Sequence, residues 1–237
     1  VDTDQINKPD KLIIGKHIDE SKAFTFYMVL TGLGILGSFV LIYTTQQMKI
    51  SMIPLMVSVL LYLYASSLKK VFLAGNIVIS ICATLPIIFL ALYDLRINEF
   101  DTAVVILFTQ GIGLGALVYG TFAFLTTMIR EIIKDVQDIE GDDAIDAKTF
   151  PIVMGINASK ALIIFLQLIT LGFLLLIAYY FLAIKASIAF YGVCSLLILP
   201  LLIQIVLVLW VKQAQQFKWA SLVGKLHMLL GILTMLF

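Results

Sequence analysis

Seven long apolar runs, separated by polar segments of very unequal length, constrain this chain more than any other feature. They cover roughly residues 21–43, 50–66, 73–93, 102–127, 159–183, 186–211 and 219–237. About 20 apolar residues in a helix, within a range of about 17–25, cross the ~30 Å hydrocarbon core of a bilayer. Most of the runs have that length, and 50–66 is the shortest. Lipid offers the backbone no hydrogen-bond partners, so only helices and closed barrels cross it. The runs lack the period-two alternation of barrel strands, which leaves helices. The predicted fold class is therefore all-α, a polytopic transmembrane helical bundle with seven spans, and residues 1–237 are read as a single membrane domain. Glycines 32, 34, 37, 111, 113, 115 and 120 fall inside the runs, where small residues are expected to let helices approach closely.

Composition agrees and excludes several function classes. The chain is 61% hydrophobic and 13% charged, whereas a soluble domain is about 45–50% apolar and about a quarter charged. A net charge of +1 lacks the basic footprint of a nucleic-acid binder, and a chain this apolar is not disordered. Cys82 and Cys194 both lie within apolar runs, so neither a disulfide framework nor a zinc site is implied. The chain opens Val1-Asp2-Thr3-Asp4, without Met and without the apolar stretch of a secretion signal, a start that reads as that of a fragment.

Assigning the polar connections alternately to two sides separates the charges. One side carries twelve of the Lys and Arg residues and twelve acids; the other carries Lys49, Arg96 and Lys185 with Asp94, Glu99 and Asp101. The positive-inside rule makes the first side cytoplasmic and the expected location a cell inner membrane. Within the runs the ionisable residues are few: Lys225 is expected to snorkel or face the bundle, and His227 to be a packing residue. Gln110, Gln167 and Gln204 read as interhelical hydrogen-bond partners.

The segment from Arg130 to Asp142 follows an apolar run directly and is expected to extend that helix beyond the bilayer. At about 100° per residue, Asp135, Asp138 and Asp142 lie within roughly 60° of one another, with Arg130 and Lys134 at one edge of the stripe. Three carboxylates on one face repel unless a cation sits among them. Hard oxygen ligands of this kind suit Mg²⁺, which takes one or two carboxylates with waters and substrate phosphates. Arg130 and Lys134 are placed to bind the same phosphates. The blander alternative is a solvated, charged loop beside the membrane. A second acidic segment on the same side, Asp2 to Lys11, weighs against it: opposing carboxylate clusters can hold a diphosphate between metal ions and stabilise charge as it departs. A third feature is the turn from Tyr64 to Lys70, followed by Gly75-Asn76, in which Lys69 is positioned to reach a phosphate while Lys70 reads as a membrane-edge anchor.

These residues carry a resemblance. The stretch REIIKDVQDIEGDDAIDAKTFP (130–151) resembles the second aspartate-rich motif of the UbiA superfamily of intramembrane prenyltransferases. DQINKPDK (4–11) resembles the tail of that superfamily's first motif, N-D-x-x-D-x-x-x-D followed by Asn-x-Pro, and Tyr64 to Asn76 resembles its Y-S-x-x-L-K…G-N segment. Order, spacing and sidedness all agree. The resemblance implies nine helices, of which seven are present and the first two would precede Val1. It also implies Asp4 as the last ligand of motif one and Asp135, Asp138 and Asp142 as the metal carboxylates of motif two. Lys69, Lys134 and Arg130 become diphosphate-contacting bases, with Asn76 also on the substrate side, and Tyr64 resembles the tyrosine beside the reacting carbon. Ala65 stands where Ser is frequent, and Asp146 where the G-D-x-x-x-G pattern has Gly.

The expected function is Mg²⁺-dependent transfer of a polyprenyl group, geranylgeranyl, from its diphosphate to a lipid-soluble membrane acceptor. Within the superfamily R-E-x-x-K-D-x-x-D-x-x-G-D most resembles the geranylgeranylglyceryl phosphate geranylgeranyltransferases. Tyr64, Lys69, Asp138 and Asp142 are the expected catalytic residues. An aromatic acceptor, as in quinone or chlorophyll synthesis, is the alternative within the superfamily, and a membrane transporter the alternative of another class.

Overall fold

A computed structural model of the chain describes residues 6–7, 12–45, 52–94 and 111–236. The described parts of the apolar runs are helical except at their edges, such as Met52, Leu73, Ala186 and Val211. The helices are α1 (Glu20–Thr45), α2 (Ile53–Ser66), α3 (Ala74–Asp94), α4 (Gly111–Gln137), the short α5 (Ile139–Asp143), α6 (Phe150–Ala183), α7 (Ser187–Trp210) and α8 (Phe217–Leu233). Among the described residues there is no strand; one isolated bridge pairs Ile14 with Ile18.

Five of these helices, α1, α3, α4, α6 and α7, are long and apolar enough to cross a membrane, and the chain is an integral membrane protein. The structure supports these five of the seven expected spans. The run at 50–66 yields α2, whose 14 residues reach only about 21 Å at 1.5 Å per residue, short of the ~30 Å core. The last run yields α8, 17 residues long and interrupted by Lys218, Lys225 and His227.

The chain divides into two compact units, residues 1–124 and 125–237. In the first, α1 packs on α2 and α2 on α3. The first half of α4 meets α3 at Gly120. There the Thr84 hydroxyl donates to the carbonyls of Ser80 and Gly120 at 3.0 and 3.1 Å, and a Cβ on Gly120 would lie 3.1 Å from Thr84 Cγ2. Gly120 thus fulfils the close-packing expectation. For Gly32, Gly34, Gly37, Gly111 and Gly115 a Cβ meets nothing within 4 Å among the described residues.

In the second unit α7 packs on α6 and α8. Buried positions here include polar ones: Ser159, Gln167, Thr170, Gln204 and His227 are all 2% exposed or less, while Tyr179, Trp210 and Trp219 lie on the outside. Gln204 is the interhelical partner expected of it, donating from Nε2 to the Ala220 carbonyl on α8 at 3.0 Å. Gln167 is fully buried without such a partner among the described residues, and Gln110 lies outside them. Lys225 is exposed. Lys160 donates from Nζ to the carbonyls of Leu209 and Val211 at 3.1 and 2.6 Å, satisfying the open C-terminal end of α7 with a positive charge. Within α7, Val193–Ile198 forms a π-helical turn. It immediately precedes Leu199-Pro200, where the proline offers no N–H to the Leu196 carbonyl and crowds it.

Two glycine-like conformations shape the polar end of this unit. Gly155 interrupts α6 at φ 82°, ψ 168°, so Phe150–Met154 is a separate turn. Asp146 holds φ 53° at the end of α5, where its N–H donates to Asp143 and that of Ala147 to Asp142, both at 3.0 Å. This bond pair is a Schellman motif, whose left-handed residue is usually glycine. Asp146 therefore keeps the backbone shape that glycine adopts, with its carboxylate exposed to solvent.

Two stability changes follow and are checked by thermal melting of the full-length protein in detergent. Gly224→Ala places a Cβ 2.5 Å from Gln204 Nε2 and is expected to push the amide off Ala220, destabilising by about 1–3 kcal/mol. Asp146→Gly is expected to raise stability by about 0.5–1 kcal/mol, because relief of the left-handed side-chain clash outweighs the extra chain entropy of glycine.

Candidate active site

The C-terminal half of α4 buries Met128, Ile129, Ile132, Ile133 and Val136, the i, i+3, i+4, i+7 stripe of a helix anchored on one face. Arg130 and Lys134 sit off that stripe with side chains 33% and 35% exposed. Between them Glu131 is buried, its side chain 6% exposed. Arg130 Nη1 donates to Glu131 Oε1, and Lys134 Nζ lies 3.8 Å from Glu131 Oε2. One carboxylate thus serves two cations through separate oxygens.

The acidic row begins one turn on. Asp135 and Asp138 are half-buried and Asp142 is buried. The helix does not run unbroken to Gly141: Asp138 separates α4 from α5 with φ −99°, ψ 11°. Even so, the amides of Asp138 and Asp142 bond to the carbonyls of Lys134 and Asp138 at 2.9 and 3.0 Å. This helical spacing of bonds carries through the break and keeps the three acids near the expected register. Carboxylates at the C-terminal end of α4 add to the negative end of its dipole, so the local field favours a cation.

Among the described residues no group of three or more His, Cys, Asp or Glu forms a metal-holding cluster. The acids form a row rather than a closed cage. That donor set fits Mg²⁺, which keeps waters and takes phosphate oxygens beside one or two carboxylates, better than an ion needing an all-protein shell. Asp4, the metal ligand expected from motif one, lies outside the described residues.

The other candidate residues gather at the α2–α3 turn. Tyr64, half-buried, is in the last turn of α2; Lys69 is exposed in a 3₁₀ turn (Leu68–Lys70); Asn76, buried, opens α3. Gly75 is what permits this turn. A Cβ there would lie 2.8 Å from the Leu68 carbonyl oxygen and 3.1 Å from Lys69 Cα, backbone atoms that cannot rotate away. The connection is also strained at Leu73, which holds φ 51° in a region disfavoured by about 1–2 kcal/mol for residues with a Cβ.

The structure thus brings Arg130 and Lys134 together on Glu131, aligns Asp135, Asp138 and Asp142 along the next turns, and separately draws Tyr64, Lys69 and Asn76 to one turn. Sequence reasoning gave Glu131 no role and named Gly75 only within its motif. Glu131 was detectable as the acid three residues before Lys134 and beside Arg130, a spacing that pairs charges on a helix. No pattern signals the backbone contact at Gly75, which is tertiary.

Comparison with known proteins supports the motif reading. The UbiA prenyltransferase family matches residues 1–230. A digeranylgeranylglyceryl phosphate synthase of Methanosphaera stadtmanae is 30% identical over 177 residues, covering 75% of this chain and 57% of the relative. That of Methanothermobacter thermautotrophicus is 34% identical over 163 residues, covering 67% and 49%, and that of Saccharolobus solfataricus 30% over 175 residues, covering 72% and 55%. The chain spans about half the length of the curated relatives it matches. No solved structure matches it. With its motifs in family order and the match running over nearly all its residues, the chain belongs to the UbiA prenyltransferase family.

Proposed function

We propose that the protein transfers a geranylgeranyl group from its diphosphate to geranylgeranylglyceryl phosphate in the membrane. The observation that carries this reading is the end of α4, where two partly exposed cations share one buried carboxylate beside a row of three acids. The family match and the printed names of the relatives support the reaction class and the glycerophosphate acceptor. An aromatic acceptor has no comparable support.

In the proposed reaction the allylic C–O bond breaks and its electron pair leaves with the diphosphate. The acceptor hydroxyl oxygen then forms an ether bond to the allylic carbon, and its proton passes to solvent or to the released diphosphate. Arg130 and Lys134 present N–H donors to the diphosphate oxygens as negative charge develops there, an interaction strengthened where water is scarce. Asp135, Asp138 and Asp142, with Asp4, would hold Mg²⁺, which when bound neutralises the leaving diphosphate. Lys69 and Asn76 take substrate-binding roles at the α2–α3 turn. Tyr64 stabilises the allylic cation through its ring face, an attraction of about 0.5–2 kcal/mol. The apolar spans keep water from that cation. We further propose that residues 1–237 act as one catalytic domain, seated in a cell inner membrane with the Lys69–Lys70 turn and the charged end of α4 toward the cytoplasm.

The test incubates full-length protein in detergent with geranylgeranyl diphosphate, Mg²⁺ and either geranylgeranylglyceryl phosphate or an aromatic acceptor. Ether product and pyrophosphate are expected with the glycerophosphate; prenylation of the aromatic compound alone would overturn the acceptor assignment. Chelation with EDTA is expected to stop turnover and added Mg²⁺ to restore it. Asp138→Asn and Asp142→Asn are each expected to lower kcat by about 100-fold or more, and unchanged pyrophosphate release in both variants would sink the site assignment.

A further inference from the structure

We infer that Glu131 is a positioning residue that presents Arg130 and Lys134 to the diphosphate and moderates their combined charge. The inference rests on the prenyl-transfer reading above. An ordinary ion pair on a helix surface leaves both partners in water and fixes neither. Here the arrangement is asymmetric: the carboxylate is 6% exposed while the two bases it holds are each about a third exposed. A charge buried to that degree persists only when it is compensated, and the structure sets a base beside each oxygen: Arg130 Nη1 donates to Oε1, and Lys134 Nζ forms an ion pair with Oε2 at 3.8 Å.

Two consequences follow for a phosphate-bearing substrate. First, guanidinium and ammonium have five and three N–H donors. Arg130 gives one of these donors to Glu131, and the ion pair draws the Lys134 ammonium to the same carboxylate, which anchors both flexible side chains at one point and leaves their other donors for the diphosphate. Second, Arg130 and Lys134 are four residues apart on one helix and repel each other. Glu131 cancels one of their two charges, which limits how tightly the released diphosphate is held. Glu131 itself touches neither substrate nor metal in this scheme.

The discriminating experiment is steady-state kinetics of full-length Glu131→Gln in detergent, with geranylgeranyl diphosphate as donor. Loss of orientation and slower product release are both expected to act on kcat. We expect kcat to fall by about tenfold or more with the donor KM unchanged or lower, and inorganic diphosphate to inhibit at a several-fold lower concentration. In an Arg130→Gln/Lys134→Gln background, Glu131→Gln is expected to change single-turnover pyrophosphate release by less than about twofold, because the residues it positions are gone. A Glu131→Gln enzyme with kcat within about twofold of the unaltered protein overturns the inference. So does a donor KM that rises in step with lost activity, or an equal loss in the double-variant background. If Glu131→Gln does not fold, Glu131→Asp replaces it. That variant keeps the charge on a side chain one methylene shorter, and is expected to lower kcat without raising KM; kinetics like those of the unaltered protein would again overturn the inference. Absence of any prenyl transfer by the unaltered protein would instead defeat the functional reading, so the two failures are distinguishable.

Discussion

Hydrocarbon supplies no hydrogen-bond partners, and the rest of this structure follows from that constraint. It forces the backbone into helices and turns polar side chains away from lipid. In the second unit the buried positions include Ser159, Gln167, Thr170, Gln204 and His227, while large apolar and aromatic side chains lie outside. Where a helix ends, its open carbonyls still need donors. Lys160 fills that need at the end of α7, so a residue that adds to the positive-inside count also closes a helix.

The same constraint drives charge to the helix ends, and there the proposed site lies. The end of α4 combines a cationic pair, a buried acid between them and a descending row of carboxylates. Each ingredient alone is unfavourable: like charges adjoin, a carboxylate is buried, and acids sit at the negative pole of a helix. On the proposed reading they offset one another in a site for both a cation and an anion, as a metal-bound diphosphate would provide.

Much of this was legible beforehand because it depends on local pattern. Apolar runs showed helices, and 3.6-residue periodicity placed Asp135, Asp138 and Asp142 on one face, a register that survives the break at Asp138 because the amide bonds keep their helical spacing. The glycine missing at position 146 was visible as a departure from a motif; its meaning, a left-handed C-terminal residue with aspartate in glycine's place, needed coordinates. Other readings are supported only in part. Among the described residues five helices have the length of a span, and the run at 50–66 gives a helix that starts at Ile53 and has 14 residues, because hydropathy marks apolar length without showing where a helix starts. Glycine content could not say which glycine meets a neighbour: among the described residues Gly120 does, whereas Gly32, Gly34 and Gly37 meet none.

By itself, then, the sequence determined the helical membrane class and the identity of the motif residues, since these rest on solvent preference, periodicity and spacing along one chain. Only the tertiary structure decided that Glu131 is buried between Arg130 and Lys134, that Gly75 lies against the Lys69 backbone and that Gln204 reaches the Ala220 carbonyl. Burial, backbone proximity and hydrogen-bond pairing depend on how side chains pack in three dimensions, and no one-dimensional period encodes that.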